Sequence, residues 1–170
     1  MTGDTTIWVI STRGPDDEPV CEINWGTKHY YAPVADVRQT ALDLVTCAAY
    51  AEMMMKLAGL GLPAQAVSAF TTDLLSDAGR TMFGTPRTIT LLPAGSTKRK
   101  EALVLLSRGS SEGMVSAAEA RDMALQWLEA AEGTESDQLV AEALRATRIA
   151  DEAGTAQLFG YLRKLRERKQ

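Results

Sequence analysis

The chain has 170 residues, of which 45 % are hydrophobic and 24 % are charged, values typical of a folded globular protein. Its net charge of −4 is unevenly spread. Residues 1–83 carry 5 Lys/Arg against 10 Asp/Glu, whereas residues 84–170 carry 13 against 12. This balance excludes a protein whose whole surface grips nucleic acid, because such proteins are strongly basic.

In chain order, β-rich runs bounded by turn residues open the first half and predict three short strands. These strands are expected at residues 6–11, 19–25 and 28–32. Gly26 lies between the last two and indicates a turn, because glycine accepts positive φ without a Cβ clash. Behind Pro33, apolar residues recur every three or four positions and predict an amphipathic helix. A second helix is expected from Pro63 to about Asp77.

The same order recurs in the second half. Its strands are expected at residues 87–92, 102–107 and 113–115, with Gly109 in the turn before the third. Ser116 and Glu119 have the capping-box spacing of a helix N-terminus. A second helix is expected from about Ser136 to Ala153, and a final helix over about 155–168. The predicted fold is α+β: two tandem units, each a β-meander with a helical pair, followed by an extra C-terminal helix.

The two halves match at an offset of 83 positions. The identities are Gly26 with Gly109, Arg38 with Arg121, Ala41 with Ala124, Leu42 with Leu125, Ala48 with Ala131, and Glu52 with Glu135. The opening strands, TIWVI (6–10) and TITLL (88–92), align at an offset of 82. We therefore expect a one-residue difference in the loop between the first two strands, where insertions are tolerated. The pattern predicts an internal duplication, with units at 1–83 and 84–170.

The segment EARDMALQWLEAA, with the strand and turn glycine before it, resembles many short uncharacterised proteins of actinobacteria and their phages. In those proteins a β-hairpin leads into an alanine-rich, acidic helix. The resemblance covers residues 103–132 well and 20–52 loosely. It implies an actinobacterial or phage source and a similar fold, but no shared activity. In a phage it would imply an assembly, structural or host-modulating protein.

Residues that could carry catalysis form no recognisable pattern. His29, the single histidine, has no nucleophile or orienting acid in a known spacing, and we interpret it as a strand residue beside two tyrosines. Cys21 and Cys47 lack the spacing of a zinc site or a disulfide scaffold. No GxxxxGK[ST] or GxGxxG motif occurs. We therefore predict a non-enzymatic protein without a cofactor or metal; an enzyme with carboxylates that the sequence does not pair is the alternative.

Two segments of the sequence bear on the cellular compartment of the protein. The opening residues MTGDTTIWVIS lack the basic start and apolar run of a signal peptide. The most apolar stretch, residues 47–70, contains Glu52 and Lys56 and is interrupted by GLGLP, which argues against a membrane span. We expect a cytoplasmic protein, within the host cytoplasm or the virion if a phage encodes it.

The largest difference between the halves lies in the first hairpin loop. The acidic tip consists of Asp16, Asp17 and Glu18, and the basic tip consists of Lys98, Arg99 and Lys100. Such loops can serve only to keep a protein soluble. Alternatively, opposite charges could dock two chains head to tail or orient a protein partner.

We predict a non-enzymatic protein-interaction or assembly protein that docks through these charged tips and through helical surfaces, with a protein partner, with itself as a dimer or larger oligomer, or with both. The alternative is a small nucleic-acid-associated regulator. It would contact phosphates through the 96–100 hairpin and through the basic residues of the C-terminal helix. Those basic residues need no ligand to explain them, because cations near a helix C-terminus complement the helix dipole.

Overall fold

A computed structural model describes residues 7–16, 18–63, 65–67, 69, 73, 89–147 and 151–167. The first half contains β1 (Ile7–Arg13), β2 (Pro19–Trp25), β3 (Lys28–Ala32) and α1 (Val34–Gly59). The second half contains β4 (Thr90–Ser96), β5 (Glu101–Arg108), β6 (Ser111–Ser116), α2 (Ala117–Thr147) and α3 (Glu152–Glu167). Within these ranges, no helix has both the length and the apolar character that a bilayer span requires.

The strands form two antiparallel three-stranded sheets, β1-β2-β3 and β4-β5-β6, so the fold is α+β as predicted. Gly26 and Gly109 have φ of +58° and +56° in the tight turns of the second hairpins, which confirms their predicted role. The loop of the first hairpin spans residues 14–18 in one sheet and 97–100 in the other. By these bounds it is one residue longer in the first half, whereas the step from offset 82 to offset 83 places the extra residue in the second half. The loop is shorter there because β4 and β5 continue for one more pair, Ser96 with Glu101.

Helix α2 begins with the predicted capping box. The Ser116 backbone N–H donates to Glu119 Oε2 at 2.7 Å, and the Glu119 N–H donates to Ser116 Oγ at 3.2 Å. These bonds satisfy donors that the first helical turn leaves unpaired. The hydrogen bond from the Ser116 backbone N–H lowers the pKa of the Glu119 carboxyl. Helix α1 begins after Pro33 without a side-chain cap.

Each long helix packs on the sheet of the other half: α1 contacts β4 and β5, and α2 contacts β1 and β2. The two helices also pack against each other. Corresponding positions are fully buried in both: Val37, Ala41, Leu44 and Ala48 in α1, and Ala120, Ala124, Trp127 and Ala131 in α2. The alanines let the helix backbones approach closely, and the inner faces of both sheets join the same core.

Two ion pairs join the helices at equivalent places. Arg38 Nη2 lies 2.6 Å from Glu135 Oε2, and Arg121 Nη1 lies 2.6 Å from Glu52 Oε1. The arginine near the start of each helix thus binds a glutamate farther along the other, so the two helices run antiparallel. The sheets also touch, since Lys28 Nζ donates to Ser111 Oγ at 2.8 Å.

Gly133 does not interrupt α2, so the separate helix predicted over residues 136–153 is wrong. Thr134 Oγ1 lies 3.3 Å from Cys21 Sγ, and Ser11 Oγ donates to Asp137 Oδ2 at 3.1 Å. These contacts with the first sheet hold the residues after Gly133 in the same helix, against a propensity cost of about 1 kcal/mol. The final helix is present as α3. The predicted helix at 63–77 lies largely outside the described residues, although 65–67, 69 and 73 are helical.

The central position of Trp127 yields a stability prediction. Trp127→Ala should lower the free energy of unfolding by about 3–5 kcal/mol, because it removes a large, fully buried ring from the helix crossing. Trp8→Ala is the matched control; its side chain is 44 % exposed, and the cost should stay near 1 kcal/mol. Urea unfolding followed by circular dichroism measures both. Equal losses of unfolding free energy in the two variants would contradict the placement of Trp127 in the core.

The Glu52–Arg121 pair yields a pH prediction. Hydrogen bonds from Arg121 lower the pKa of the Glu52 carboxyl. A lowered folded-state pKa stabilises the fold above the unfolded-state pKa, and this contribution disappears as the pH falls through the folded-state value. Carboxyl-carbon NMR titration should show the Glu52 pKa rising toward its ordinary value in Arg121→Met. The Glu52 pKa should stay unchanged in Arg38→Met. If it is also unchanged in Arg121→Met, the Glu52–Arg121 ion pair is not the cause of the lowered pKa.

Candidate functional site

The acidic tip is already partly neutralised by its own chain. Asp16 is exposed in the turn after β1, and Asp17 lies outside the described residues. Glu18 is exposed, but its two carboxylate oxygens accept hydrogen bonds from Arg145 Nη2 of α2 at 2.9 and 3.0 Å. The charge of Glu18 is therefore not freely available to a second molecule.

The basic tip is different. Lys98, Arg99 and Lys100 are all exposed in the turn between β4 and β5. The Arg99 backbone N–H donates to Ser96 Oγ at 3.2 Å, and Lys100 has a φ of +54°, so the turn backbone has a defined shape. Within the described chain, none of the three cations forms an ion pair with a carboxylate. The tip therefore presents three exposed positive charges that no described carboxylate neutralises.

Farther along the same sheet lies an exposed apolar row that the sequence analysis missed. Leu92 pairs with Leu105 across β4 and β5, and Leu105 pairs with Met114 across β5 and β6. Their side chains are 44 %, 39 % and 47 % exposed. Paired residues on neighbouring antiparallel strands lie about 5 Å apart, so the three form one continuous patch. We call Leu92, Leu105 and Met114 the apolar row.

A groove at the basic tip also reaches Met114, one residue of the apolar row. It has a volume of about 440 Å³, and its lining includes Leu103, Met114, Lys98 and Arg99. Apolar surface and positive charge therefore belong to one concave feature on the outer face of the second sheet. Such a combination is typical of surfaces that bind other molecules.

The sequence did contain a signal for this face. The β5 segment ALVLLS is apolar at every position from 102 to 106, although an antiparallel strand with one solvated face should alternate. Val104 and Leu106 point into the core, so Leu105 must point outward. The equivalent row of the first sheet is Ile10, Glu22 and Tyr31, in which the central residue is charged.

A second, larger groove of about 870 Å³ lies between the ends of β2 and β3, the start of α1 and the second half of α2. Its lining contains the Glu18–Arg145 and Arg38–Glu135 pairs. These four charged side chains bind one another, and Glu142, which also lines the groove, adds one exposed carboxylate.

The remaining candidate groups are dispersed. His29 is exposed on β3, with its ring edge-on to Tyr31 at a centroid distance of 6.4 Å. In the ranges that the structure describes, His, Cys, Asp and Glu side chains form no group of three that could hold a metal ion. Lys164 of α3 is exposed, whereas the side chains of Arg163 and Arg166 and the whole of residues 168–170 lie outside the description. The basic end of the C-terminal helix is therefore untested.

Both thiols are buried in the core, Cys21 beside Thr134 and Cys47 on the inner face of α1. Burial raises the pKa of the Cys21 thiol and raises the pKa of the Cys47 thiol to about 11. Because the thiolate is the reactive form, neither side chain is prepared to act as a nucleophile at neutral pH.

A thiol titration tests this placement. At pH 8 in native buffer, both thiols should resist an aromatic disulfide reagent, since they are buried and protonated. In denaturant both should react at once, and Cys21→Ala should leave one reactive thiol there. Rapid reaction of either thiol in the native protein would refute the buried assignment.

No protein-family model matches the chain, and comparisons with curated proteins and with solved structures likewise give no match.

Proposed function

We propose that this chain is a non-enzymatic protein-interaction protein, and that it binds its partner through the outer face of the second sheet. The observation that carries the proposal is the apolar row. An antiparallel sheet that faces water normally presents polar residues there, and a contiguous apolar patch is the common signature of a binding surface. Leu92, Leu105 and Met114 form such a patch across all three strands.

The matching arrangement of the two halves supports this choice of surface. We infer that the two halves descend from one duplicated unit, since the reciprocal ion pairs and the matched buried positions use residues in register. Positions shared by both halves build the scaffold. The outer faces and the hairpin tips are not shared, so they were free to acquire a partner. The first sheet, with Glu22 in the centre of its row, lacks the apolar patch.

Other roles have weaker support. Head-to-tail docking of the two tips needs a free acidic tip, but Arg145 already holds Glu18. A nucleic-acid-associated regulator is favoured by the exposure of the basic tip, yet the adjoining face is aliphatic and offers no aromatic platform for bases. The resemblance to actinobacterial and phage proteins would place the interaction in the host cytoplasm or in virion assembly.

Met114→Glu tests the surface, and Tyr31→Glu is its matched control. The two residues occupy equivalent positions on the two sheets and have nearly equal exposure, 47 % and 46 %. Each variant adds one exposed charge, so both should fold normally by circular dichroism. In affinity capture from the organism that encodes the chain, the wild type and Tyr31→Glu should retain a common partner that Met114→Glu loses. If the Met114→Glu variant captures the same partners in the same amounts, the outer face of the second sheet is not the binding surface.

A further inference from the structure

We propose that the occupant of this surface is a short acidic amphipathic helix of a partner protein. Its apolar side would lie on the apolar row and its acidic end against the basic tip. This inference rests on the proposed function and adds the chemical class and direction of the bound segment.

The outer face of the second sheet changes character along its strands. At the end far from the tip, Thr90, Ser107 and Glu112 form a polar row. The apolar row comes next, and Ala94, Leu103 and Ser116 form a third row beside the tip. A ligand with one apolar side and one charged end therefore has only one favourable direction on this face.

The charge of the tip selects an acidic ligand. Lys98 and Arg99 line the same groove as Met114, and neither is paired with a carboxylate of the described chain. An arginine can bind a carboxylate through two parallel hydrogen bonds, and charged hydrogen bonds are stronger than neutral ones. Glu112 at the opposite end repels acidic groups, so the acidic residues of the ligand belong at the tip.

The dimensions suit a short helix. The strand from Leu92 to Ser96 advances about 14 Å at roughly 3.4 Å per residue. A helix rises about 1.5 Å per residue, so roughly ten residues, or three turns, span that distance. The exposed face offers side chains rather than free backbone groups, so a strand would add to the sheet edge instead. An amphipathic helix offers apolar residues at three- and four-residue spacing to such a face.

Nucleic acid and membrane fit this surface less well. Phosphate binding gains from many cations, whereas the basic tip is a cluster of three beside aliphatic side chains and an opposing Glu112. Membrane binding needs a wider apolar and basic surface than one row and one tip, and the chain carries a net charge of −4. A peptide helix needs only an apolar surface next to positive charge, which Met114, Lys98 and Arg99 provide in one groove.

Selection from a displayed library of random twelve-residue peptides tests the inference on the full-length protein. Enriched peptides should carry two or more Asp or Glu at one end and apolar residues at helical spacing. Their affinity for Lys98→Glu/Arg99→Glu should fall roughly tenfold or more, as expected for the loss of charged hydrogen bonds, and should also fall as salt is raised. Arg145→Glu/Lys164→Glu makes the same charge change at exposed sites on α2 and α3, and this variant should bind like the wild type.

The outcomes separate this inference from the proposed function. Enriched peptides that lack acidic residues, or that bind Lys98→Glu/Arg99→Glu unchanged but lose Met114→Glu, would overturn the acidic ligand and leave the sheet face as the binding surface. Absence of enrichment, or peptides insensitive to Met114→Glu, would overturn the helical ligand, whereas the proposed function fails only if the Met114→Glu variant captures the same partner as the wild type. A DNA duplex or a phosphatidylserine vesicle that binds the wild type and not Lys98→Glu/Arg99→Glu would overturn the peptide in favour of that class.

Discussion

The crossing of α1 and α2 is the interaction on which the rest of the structure depends. Each helix covers the sheet of the other half, so neither sheet has a core without the distant helix. A three-stranded meander alone buries too little apolar surface to be stable, and the exchange of helices gives both sheets a shared interior. Alanines at the crossing make this possible, because they let the two backbones come close while Leu44 and Trp127 fill the space between.

The polar contacts around this core fix its geometry more than its stability. The Arg38 and Arg121 ion pairs are solvent-exposed, so screening limits their energetic contribution. However, each arginine meets its glutamate only when the helices are antiparallel and in one register. The buried contacts of Thr134 and Asp137 with the first sheet act in the same way, since they hold the second half of α2 against β1 and β2.

Because the core and the interhelical ion pairs involve the helices and the inner faces of the sheets, the outer faces can differ between the two halves. The inner faces of the two sheets follow the same apolar pattern, whereas the outer rows diverge to Ile10, Glu22 and Tyr31 on one side and the apolar row on the other. The hairpin tips diverge in charge, and among the described residues Glu18 of the acidic tip forms an ion pair whereas the cations of the basic tip form none. The second sheet therefore presents an exposed apolar row on the same face as these cations, and this combination is the basis of the proposal.

The sequence by itself determined the local structure: the strands, the turn glycines, the capping box and the offset between the halves, because these depend on periodicity and on the conformations of a few neighbouring residues. It also identified the basic tip, although not that Arg145 would pair with Glu18. The exchange of helices and the continuity of α2 through Gly133 were decided only by tertiary structure, because each depends on which distant surface covers a given face. The run ALVLLS in β5 did indicate apolar residues on both faces of that strand, but only the tertiary structure decided which of them stays exposed.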